Sequence, residues 1–431
     1  MLLIIVMVLL LLFTLLGMEI AWAIGAACLG YIILTQVNNP LPTPPALFSQ
    51  QMVEGVSAFA LLAVPLFIFA GELMNRAGVT QRLVRMASAL VGHRRGGLAN
   101  VGVTANFVMS GISGSAMADA AATGAVLVPE MTRRNYPAAF ASAVIASAAT
   151  VGPIIPPSIP FVLIGAIMNI SVGRLFLGGV VPGIIMFIAM FLLTAHLTEK
   201  LGVPREPHVR GAEFRSALLG GCLPMLAPIF VIGSIVGGIA TPTEAAAVAV
   251  CYTLILGMLV YRSLSLRSIY ECAVATALIS AIVMLTVATS QMFAWITVQE
   301  QLGTILNDAL ISIADSRVVL LLLSNILLLI LGMFMEPLPI MLVMAPILFP
   351  LLAKVGVDPV HLGVVFVLNL MIGMITPPIG LNLFVLSAIA RVEVMAVGYA
   401  CLPYIAVLIA VLLLITYIPE LTLFLPRLVM G

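Results

Sequence analysis

Two short stretches of small residues and prolines, set inside long apolar sequence, supply the groups that could do chemistry. The first is Ser110–Ala116, which reads Ser-Gly-Ile-Ser-Gly-Ser-Ala, and the second is Gly152–Pro160, which contains four prolines. Glycine and serine weaken a helix, and proline removes a backbone donor and breaks one. Because irregular backbone at membrane depth is tolerated only where it is buried in protein or lines a cavity, both stretches are candidate parts of a binding site.

The same pair of stretches occurs again in the second half of the chain, as Gly332–Pro337 and Gly373–Gly380. A shift of 221 residues carries four landmarks onto their counterparts: Gly111 onto Gly332, Pro129 onto Pro350, Arg133 onto Lys354 and Pro156 onto Pro377. Chance alignment of glycine and proline is the alternative, but four coincident landmarks favour an internal duplication. Segments interrupted at corresponding places in two halves are typical of a transporter's binding site.

The composition restricts the chain to one broad class. Hydrophobic residues make up 63% and charged residues 8% of the chain, and the mean hydropathy is +1.26, whereas soluble domains carry about 25% charged residues. The long apolar runs do not alternate as barrel strands do, so a helical membrane protein is indicated. There is no basic face for nucleic acid. The five cysteines lack metal-ligand spacing, so we expect no transition metal and no cofactor.

The elements that position the two stretches are hairpins and broken crossings. Leu98–Met131 is apolar but is split at the Ser-Gly tip, and arginines flank both of its ends. That pattern predicts a re-entrant hairpin that enters and leaves on one side. Ala138–Ile170 predicts a crossing helix broken by the prolines, and Val318–Ala353 and Val360–Ala390 repeat the pair. The predicted fold class is an all-α polytopic membrane protein with two such repeats, each a re-entrant helical hairpin followed by a broken transmembrane helix.

The basic residues orient the chain. If the connection Arg76–Arg95 is cytoplasmic, the predicted spans place 14 of the 18 lysines and arginines on that side, as the positive-inside rule requires. The first hairpin then opens to the cytoplasm and the second to the exterior, so the repeats are inverted, and both termini are predicted to be periplasmic.

Six segments follow from these elements. They are 1–96 (scaffold helices, including a predicted crossing at Val53–Leu73), 97–199 (first repeat core), 200–217 (cytoplasmic linker), 218–316 (second scaffold part, with an amphipathic interfacial helix at Trp295–Ser316), 317–395 (second repeat core) and 396–431 (C-terminal helix and tail).

A hairpin tip offers unpaired carbonyls at the end of one arm and unpaired N–H groups at the start of the next. Carbonyls and hydroxyls suit Na⁺, and helix N-termini suit a carboxylate. The candidate ligands of one Na⁺ are Ser110, Ser113, Gly114, Val151, Gly152 and Pro156, and those of a second are Gly332, Met335, Gly373 and Thr376. The candidate tip and substrate residues are Ser115, Asp119, Pro157, Pro377 and Asn382.

Na⁺ is favoured over H⁺ as the coupling ion, because proton coupling would use a titratable group at the site and few exist. Asp119 either orients the first tip and supports an ion site or is merely an acid at a helix start, and the sequence weights the two equally. For Glu336, at the second tip, the helix-start interpretation is favoured.

These motifs resemble a known family. Ser110–Ala116 with Ala118-Asp119-Ala120, then Gly152–Ser158, then Gly373–Asn382, are similar to the large membrane subunit of tripartite ATP-independent periplasmic (TRAP) transporters, along essentially the whole chain. The resemblance implies elevator-type, Na⁺-coupled import of an organic acid, such as a C4-dicarboxylate, a sialic acid or a 2-oxo acid, across a prokaryotic inner membrane. It implies Na⁺ at the two tips and two proline loops, with the substrate between them.

The resemblance also implies partners: a small four-helix membrane subunit, a periplasmic binding protein that delivers the substrate, and membrane lipid. The small subunit is expected not to be fused here, because Met1 already begins the large-subunit pattern. Two rivals stay open. One is a stand-alone Na⁺/organic-anion symporter. The other is an intramembrane serine protease, since Gly111–Gly114 fits a GxSG motif, although no histidine is well placed to activate the serine.

Overall fold

The computed structural model describes residues 2–38, 43–94, 96–203, 210–301 and 316–431. These residues form helices and no strand, and eight of the helices are long and apolar enough to cross a membrane. The N-terminal helices are α1 (Leu2–Leu15), α2 (Ile20–Asn38), α3 (Ala46–Val56), α4 (Ala63–Arg76), preceded by a 3₁₀ turn at Phe59–Leu62, and α5 (Val79–Val91). The first repeat comprises α6 (Gly97–Ser113), α7 (Ala116–Arg133), α8 (Ala138–Ala149), α9 (Ile159–Met168) and α10 (Val172–Leu201).

The second half follows the same order. A connecting group comprises α11 (Ala212–Val236), α12 (Pro242–Leu254), which ends in a π-helical turn at Ile255–Val260, and α13 (Leu266–Gln299). The second repeat comprises α14 (Arg317–Phe334), α15 (Pro337–Lys354), α16 (Pro359–Gly373), α17 (Leu381–Ala390), α18 (Val394–Tyr417) and α19 (Glu420–Met430).

The two predicted hairpins and two broken crossings are confirmed. Hairpin 1 (α6 and α7) is interrupted only at Gly114 and Ser115, and hairpin 2 (α14 and α15) only at Met335 and Glu336. Four boundaries recur 221 residues later: Ser113 at Phe334, Ala116 at Pro337, Arg133 at Lys354 and Ala138 at Pro359. The broken crossings are α8 and α9, joined by loop 1 (Thr150–Ser158), and α16 and α17, joined by loop 2 (Met374–Gly380). The predicted fold class is therefore confirmed.

Local backbone chemistry produces these breaks. Gly114 ends α6 in the left-handed conformation (φ +60°), which glycine adopts without a steric cost. Ser115 then caps α7 by accepting a hydrogen bond from the N–H of Ala118 at 3.4 Å, and Ser158 caps α9 by accepting from the N–H of Phe161 at 3.2 Å. Gly114 thus ends one helix and the next residue, Ser115, caps the following one, so the tip of hairpin 1 stays short.

Two segment predictions are corrected. The predicted crossing Val53–Leu73 is not one helix, because α3 ends at Val56, where Gly55 packs closely on α13, and α4 starts only after the 3₁₀ turn. The predicted interfacial helix does not begin at Trp295, because no glycine or proline separates that residue from α13, which continues to Gln299. The rest of that prediction, residues 302–315, lies outside the described residues. The domain boundaries stay predictions.

The hairpins and broken crossings pack on one another, and α13 packs on α2, α3 and α4. Asn382 of α17 joins the two repeats, since its Nδ2 donates to the carbonyl of Ala146 in α8 at 3.4 Å. Gly124 of α7 faces the side chain of Leu386 in α17. The four irregular elements therefore belong to one packed core, with α2–α4 and α13 beside it.

A buried amide pair fixes hairpin 2 to its neighbours. Asn369 Nδ2 donates to the carbonyl (3.0 Å) and to Oδ1 (2.9 Å) of Asn325, and Asn325 Nδ2 donates to Thr416 Oγ1 (3.0 Å). Asn325→Ala leaves buried partners unpaired, so we expect it to destabilise the fold by about 1–3 kcal/mol, measured as a lower midpoint of thermal unfolding. Thr276→Ala is the matched control, because that buried hydroxyl makes no hydrogen bond in the described part of the chain. An equal fall in the unfolding midpoint of both variants would contradict this role of Asn325.

Candidate functional site

The tip of hairpin 1 contacts loop 1 backbone to backbone. A Cβ atom added at Gly114 would lie 2.7 Å from the carbonyl oxygen of Pro157, and one added at Gly111 would lie 3.6 Å from that of Pro156. Only a residue without a side chain allows the approach at Gly114. The structure therefore brings the tip and loop residues of the first predicted ion site together.

Asp119 lies between that tip and that loop, away from water. It is fully buried, its Oδ1 accepts a hydrogen bond from Ser113 Oγ at 2.6 Å, and its Oδ2 has no hydrogen-bond partner among the described residues. A Cβ atom added at Gly152 would lie 2.6 Å from Oδ2. Asp119 lies in the first turn of α7, as the helix-start interpretation requires. Its carboxylate nevertheless faces loop 1, as the ion-site interpretation requires.

The carbonyl groups of loop 1 are not equally available. Val151 O accepts from the N–H groups of Ile154 (2.9 Å) and Ile155 (3.1 Å), so both of its lone pairs are engaged. In contrast, no N–H or O–H group of the described residues donates to the carbonyls of Gly152 and Pro156. Gly152 and Pro156 are thus free to bind a cation, and Val151 is the weakest of the predicted ligands.

The second predicted ion site is built on a contact between two glycines. A Cβ atom added at Gly373 would lie 2.6 Å from the backbone of Gly332. Thr376 donates its N–H to Gly373 O at 3.0 Å and its hydroxyl to Ile372 O at 2.7 Å, so the lone pairs of its hydroxyl stay free. Met335, the first residue beyond α14, lies at the tip of hairpin 2. The N–H of Gly380 in loop 2 also donates to Met333 O in hairpin 2 at 3.3 Å. Hairpin 2 and loop 2 therefore meet as hairpin 1 and loop 1 do.

All four irregular elements meet at one open cavity, whose empty space of about 400 Å³ includes solvent at its mouth. Its walls come from both tips (Gly114–Met117 and Glu336–Leu338), from Pro153 and Ile159 of the first crossing, and from Met371 and Met374 of the second. The cavity lies between the two candidate ion sites, which is where the resemblance places a substrate.

The polar groups around this cavity are asymmetric. The first-turn N–H groups of α7, at Ala116 and Met117, have no intrahelical acceptor and attract an anion. The matching turn of α15 begins with Pro337 and contains Pro339, which have no N–H, and Glu336 adds a carboxylate to the wall. An anion is therefore attracted mainly by the first repeat.

The predicted tip and substrate residues divide into two groups. Ser115 lines the cavity, whereas Asp119, Pro157, Pro377 and Asn382 do not; Asn382 is fully buried and joins the repeats through Ala146 instead. The sequence interpretation missed Ala116, Met117, Met371 and Met374. Ala116 and Met117 directly follow the capping serine, and this position at a helix start is the sequence signal that could have identified them. Nothing in the local sequence distinguishes the two methionines.

Comparisons with known proteins agree with this architecture. The chain matches the sequence model of the family described as "Tripartite ATP-independent periplasmic transporter, DctM component" over residues 6–421. It is 40% identical over 415 residues to the sialic acid TRAP transporter large permease protein SiaM of Vibrio cholerae, covering 96% of each chain. It is 36% identical over 408 residues to the 2,3-diketo-L-gulonate TRAP transporter large permease protein YiaN of Escherichia coli, covering 94% of each.

The fold is also similar to that of a solved transporter. The crystal structure of the Alcanivorax borkumensis YdaH transporter superimposes with a TM-score of 0.69 at 16% identity, covering 93% of this chain and 98% of that one. The curated relatives are transport proteins over nearly their full length, which rules out the protease alternative and confirms the prediction that the chain is not an enzyme. The chain is a multi-pass membrane protein and belongs to the DctM family, the large permease component of tripartite ATP-independent periplasmic transporters.

Proposed function

We propose that the chain imports an organic acid across the inner membrane, driven by Na⁺, with the hairpin and broken-crossing core moving as an elevator against α2–α4 and α13. The observation that carries the proposal is the single cavity between two matched tips, each packed on a proline-containing loop with unpaired oxygens. The direct bond between the repeats, Asn382 to Ala146, supports movement of the core as one body.

Na⁺ fits both sites because, among the described residues, no basic side chain pairs with Asp119 or with Glu336. Asp119 is fully buried and has no basic partner among the described residues, and an uncompensated buried carboxylate is costly. Na⁺ bound by the free carbonyls of Gly152 and Pro156, with Ser110 and Ser113, offsets that charge. In site 2, Na⁺ bound at Gly332, Met335, Gly373 and Thr376 offsets Glu336, whose carboxylate would otherwise repel an anionic substrate from the cavity.

The substrate class follows from the cavity and the relatives. The N–H groups at the start of α7, together with that of Ile159 at the start of α9, suit a carboxylate. The names of SiaM and YiaN state sialic acid and 2,3-diketo-L-gulonate, both organic acids. A carboxylate held by the first repeat, with the rest of the molecule against Met371 and Met374, fits this arrangement.

Partners follow from the family description. A tripartite transporter has two further components, and "large permease" implies a small one. We therefore assign this chain a small four-helix membrane subunit and a periplasmic binding protein that delivers the acid. The side of Arg76–Arg94 is cytoplasmic, and both termini are periplasmic.

Uptake into proteoliposomes tests the proposal. The chain is reconstituted with its small subunit and given an inward Na⁺ gradient, with and without the binding protein, and a panel of radiolabelled organic acids. Uptake should need both Na⁺ and the binding protein. Uptake driven by a pH gradient without Na⁺ would overturn the ion assignment, and uptake indifferent to the binding protein would favour the stand-alone symporter.

Thr376→Ala tests the second ion site. The substitution removes a hydroxyl ligand, so the Na⁺ concentration for half-maximal uptake should rise about tenfold. Thr376→Ser keeps the hydroxyl and should restore most of the Na⁺ affinity. If the serine variant were as impaired as the alanine variant, the methyl group rather than the oxygen would be the important part of this side chain.

A further inference from the structure

A groove far from the transport cavity lies where α5 meets the start of α11. Its empty space of about 1020 Å³ includes the open solvent at its mouth. One wall is formed by Arg82, Arg85 and Ser88 of α5, and the other by Glu213 and Ser216 of α11. α5 lies within the arginine-rich connection Arg76–Arg95, and α11 begins in the predicted cytoplasmic linker 200–217. The groove thus lies at the end of membrane-spanning sequence, beside the arginine-rich segments.

Arg82 is a fixed cation in this groove. Its Nη1 donates to the carbonyls of Ala77 (3.2 Å) and Gly78 (3.0 Å), and its guanidinium carbon lies 3.7 Å from the ring centroid of Tyr261. The hydroxyl of Tyr261 in turn donates to Gly220 O at 3.1 Å. No carboxylate in the described part of the chain pairs with Arg82. The charge is therefore oriented but not neutralised.

Arg85 and Glu213 are exposed and have no ion-pair partner among the described residues. The groove therefore presents two unpaired cations on one wall and one unpaired carboxylate on the other. A guanidinium pair matches a phosphate, which it binds through several N–H donors. A single carboxylate opposite matches an ammonium group and repels a second anion.

An apolar stripe leads away from the groove along α11. Leu219, Leu223, Leu226 and Ile229 are exposed, Leu219 to 66%. They recur every three or four residues, so they share one helix face. A molecule with its charged end in the groove would lay its hydrocarbon along this stripe.

We propose that this groove is a binding site for a phospholipid whose headgroup carries a phosphate and a primary amine but no second anionic group, that is, phosphatidylethanolamine. Arg82 and Arg85 hold the phosphate, Glu213 accepts from the ammonium N–H groups, and the acyl chains follow the α11 stripe. The site belongs to the leaflet on the arginine-rich side. This proposal does not depend on the transported substrate or on the coupling ion.

Native mass spectrometry of the full chain, purified in detergent and titrated with single lipids, tests the site. Phosphatidylethanolamine should bind more tightly than phosphatidylcholine, whose quaternary amine has no N–H, and than phosphatidylglycerol, which has no amine. Arg85→Gln should weaken binding of all three lipids about tenfold, because it removes one charge-assisted contact to the shared phosphate. In Glu213→Gln, phosphatidylethanolamine should bind no more tightly than phosphatidylcholine. Phosphatidylglycerol should bind this variant more tightly than it binds the unchanged protein.

Arg133→Gln is the matched control, because Arg133 is exposed to 79% and already pairs with Glu130. It should bind all three lipids as the unchanged protein does. Equal binding of the three lipids by the unchanged chain, or displacement of phosphatidylethanolamine by millimolar inorganic phosphate, would overturn the proposal. Loss of lipid binding when the small subunit is co-expressed would also overturn it, since the groove would then be covered by that partner.

Discussion

Gly373→Ala is expected to abolish uptake, because the added methyl group would overlap the backbone of Gly332. The added Cβ atom would lie 2.6 Å from both Cα and C of Gly332 and 2.8 Å from its carbonyl oxygen. Backbone atoms cannot rotate away as the end of a flexible side chain can, so hairpin 2 must separate from loop 2. That displacement moves the ligands of the second ion site apart. We expect the rate of uptake to fall by about 100-fold, the loss typical of a misplaced binding group.

The measurement is initial uptake in proteoliposomes, together with size-exclusion chromatography and thermal unfolding to establish that the variant folds. Gly233→Ala is the control, because Gly233 lies within α11 and nothing lies within 4 Å of its added Cβ atom. It should transport normally. Normal uptake by a folded Gly373→Ala protein would show that the close approach of the two glycines is not needed for transport.

Asp119→Asn is expected to raise the Na⁺ requirement strongly while leaving the fold intact. Asparagine keeps the size of the side chain and an oxygen that can accept from Ser113, but it removes the buried negative charge. Because that charge has no basic partner among the described residues, its loss should lower mainly the affinity for the bound cation. We expect the half-saturating Na⁺ concentration to rise about 10- to 100-fold, as for loss of a hydrogen-bonded charge. Uptake measured against external Na⁺ gives this value.

Glu244→Gln separates the two interpretations of Asp119. Glu244 also lies in the first turn of a helix, α12, where it completes a capping box with Thr241. If Asp119 acts only as a helix-start acid, the two substitutions should behave alike, with no change in Na⁺ dependence. An unchanged Na⁺ requirement in Asp119→Asn would therefore remove Asp119 from the ion site and leave it a structural role.

The helix breaks could be predicted from the sequence alone. Gly114 with Ser115, and the prolines of loop 1, act on backbone within one or two turns, so their effect does not depend on distant residues. The same holds for the second repeat, where the spacing of 221 residues reappears in the helix boundaries. Where no breaker was present, as between Trp295 and Gln299, the sequence interpretation began a new helix too early.

Which polar groups of those breaks are free depends on tertiary packing. The carbonyl of Val151 is engaged by Ile154 and Ile155 while that of Gly152 is not, and this depends on the turn that loop 1 adopts. Asn382 was predicted to face the site, but it bonds to Ala146, which is 236 residues away in the chain. Asp119 faces Gly152 because two hairpin arms and a loop pack together. Helix breaks are set by local backbone chemistry, whereas the direction and pairing of a buried polar group are set by whatever long-range packing places beside it.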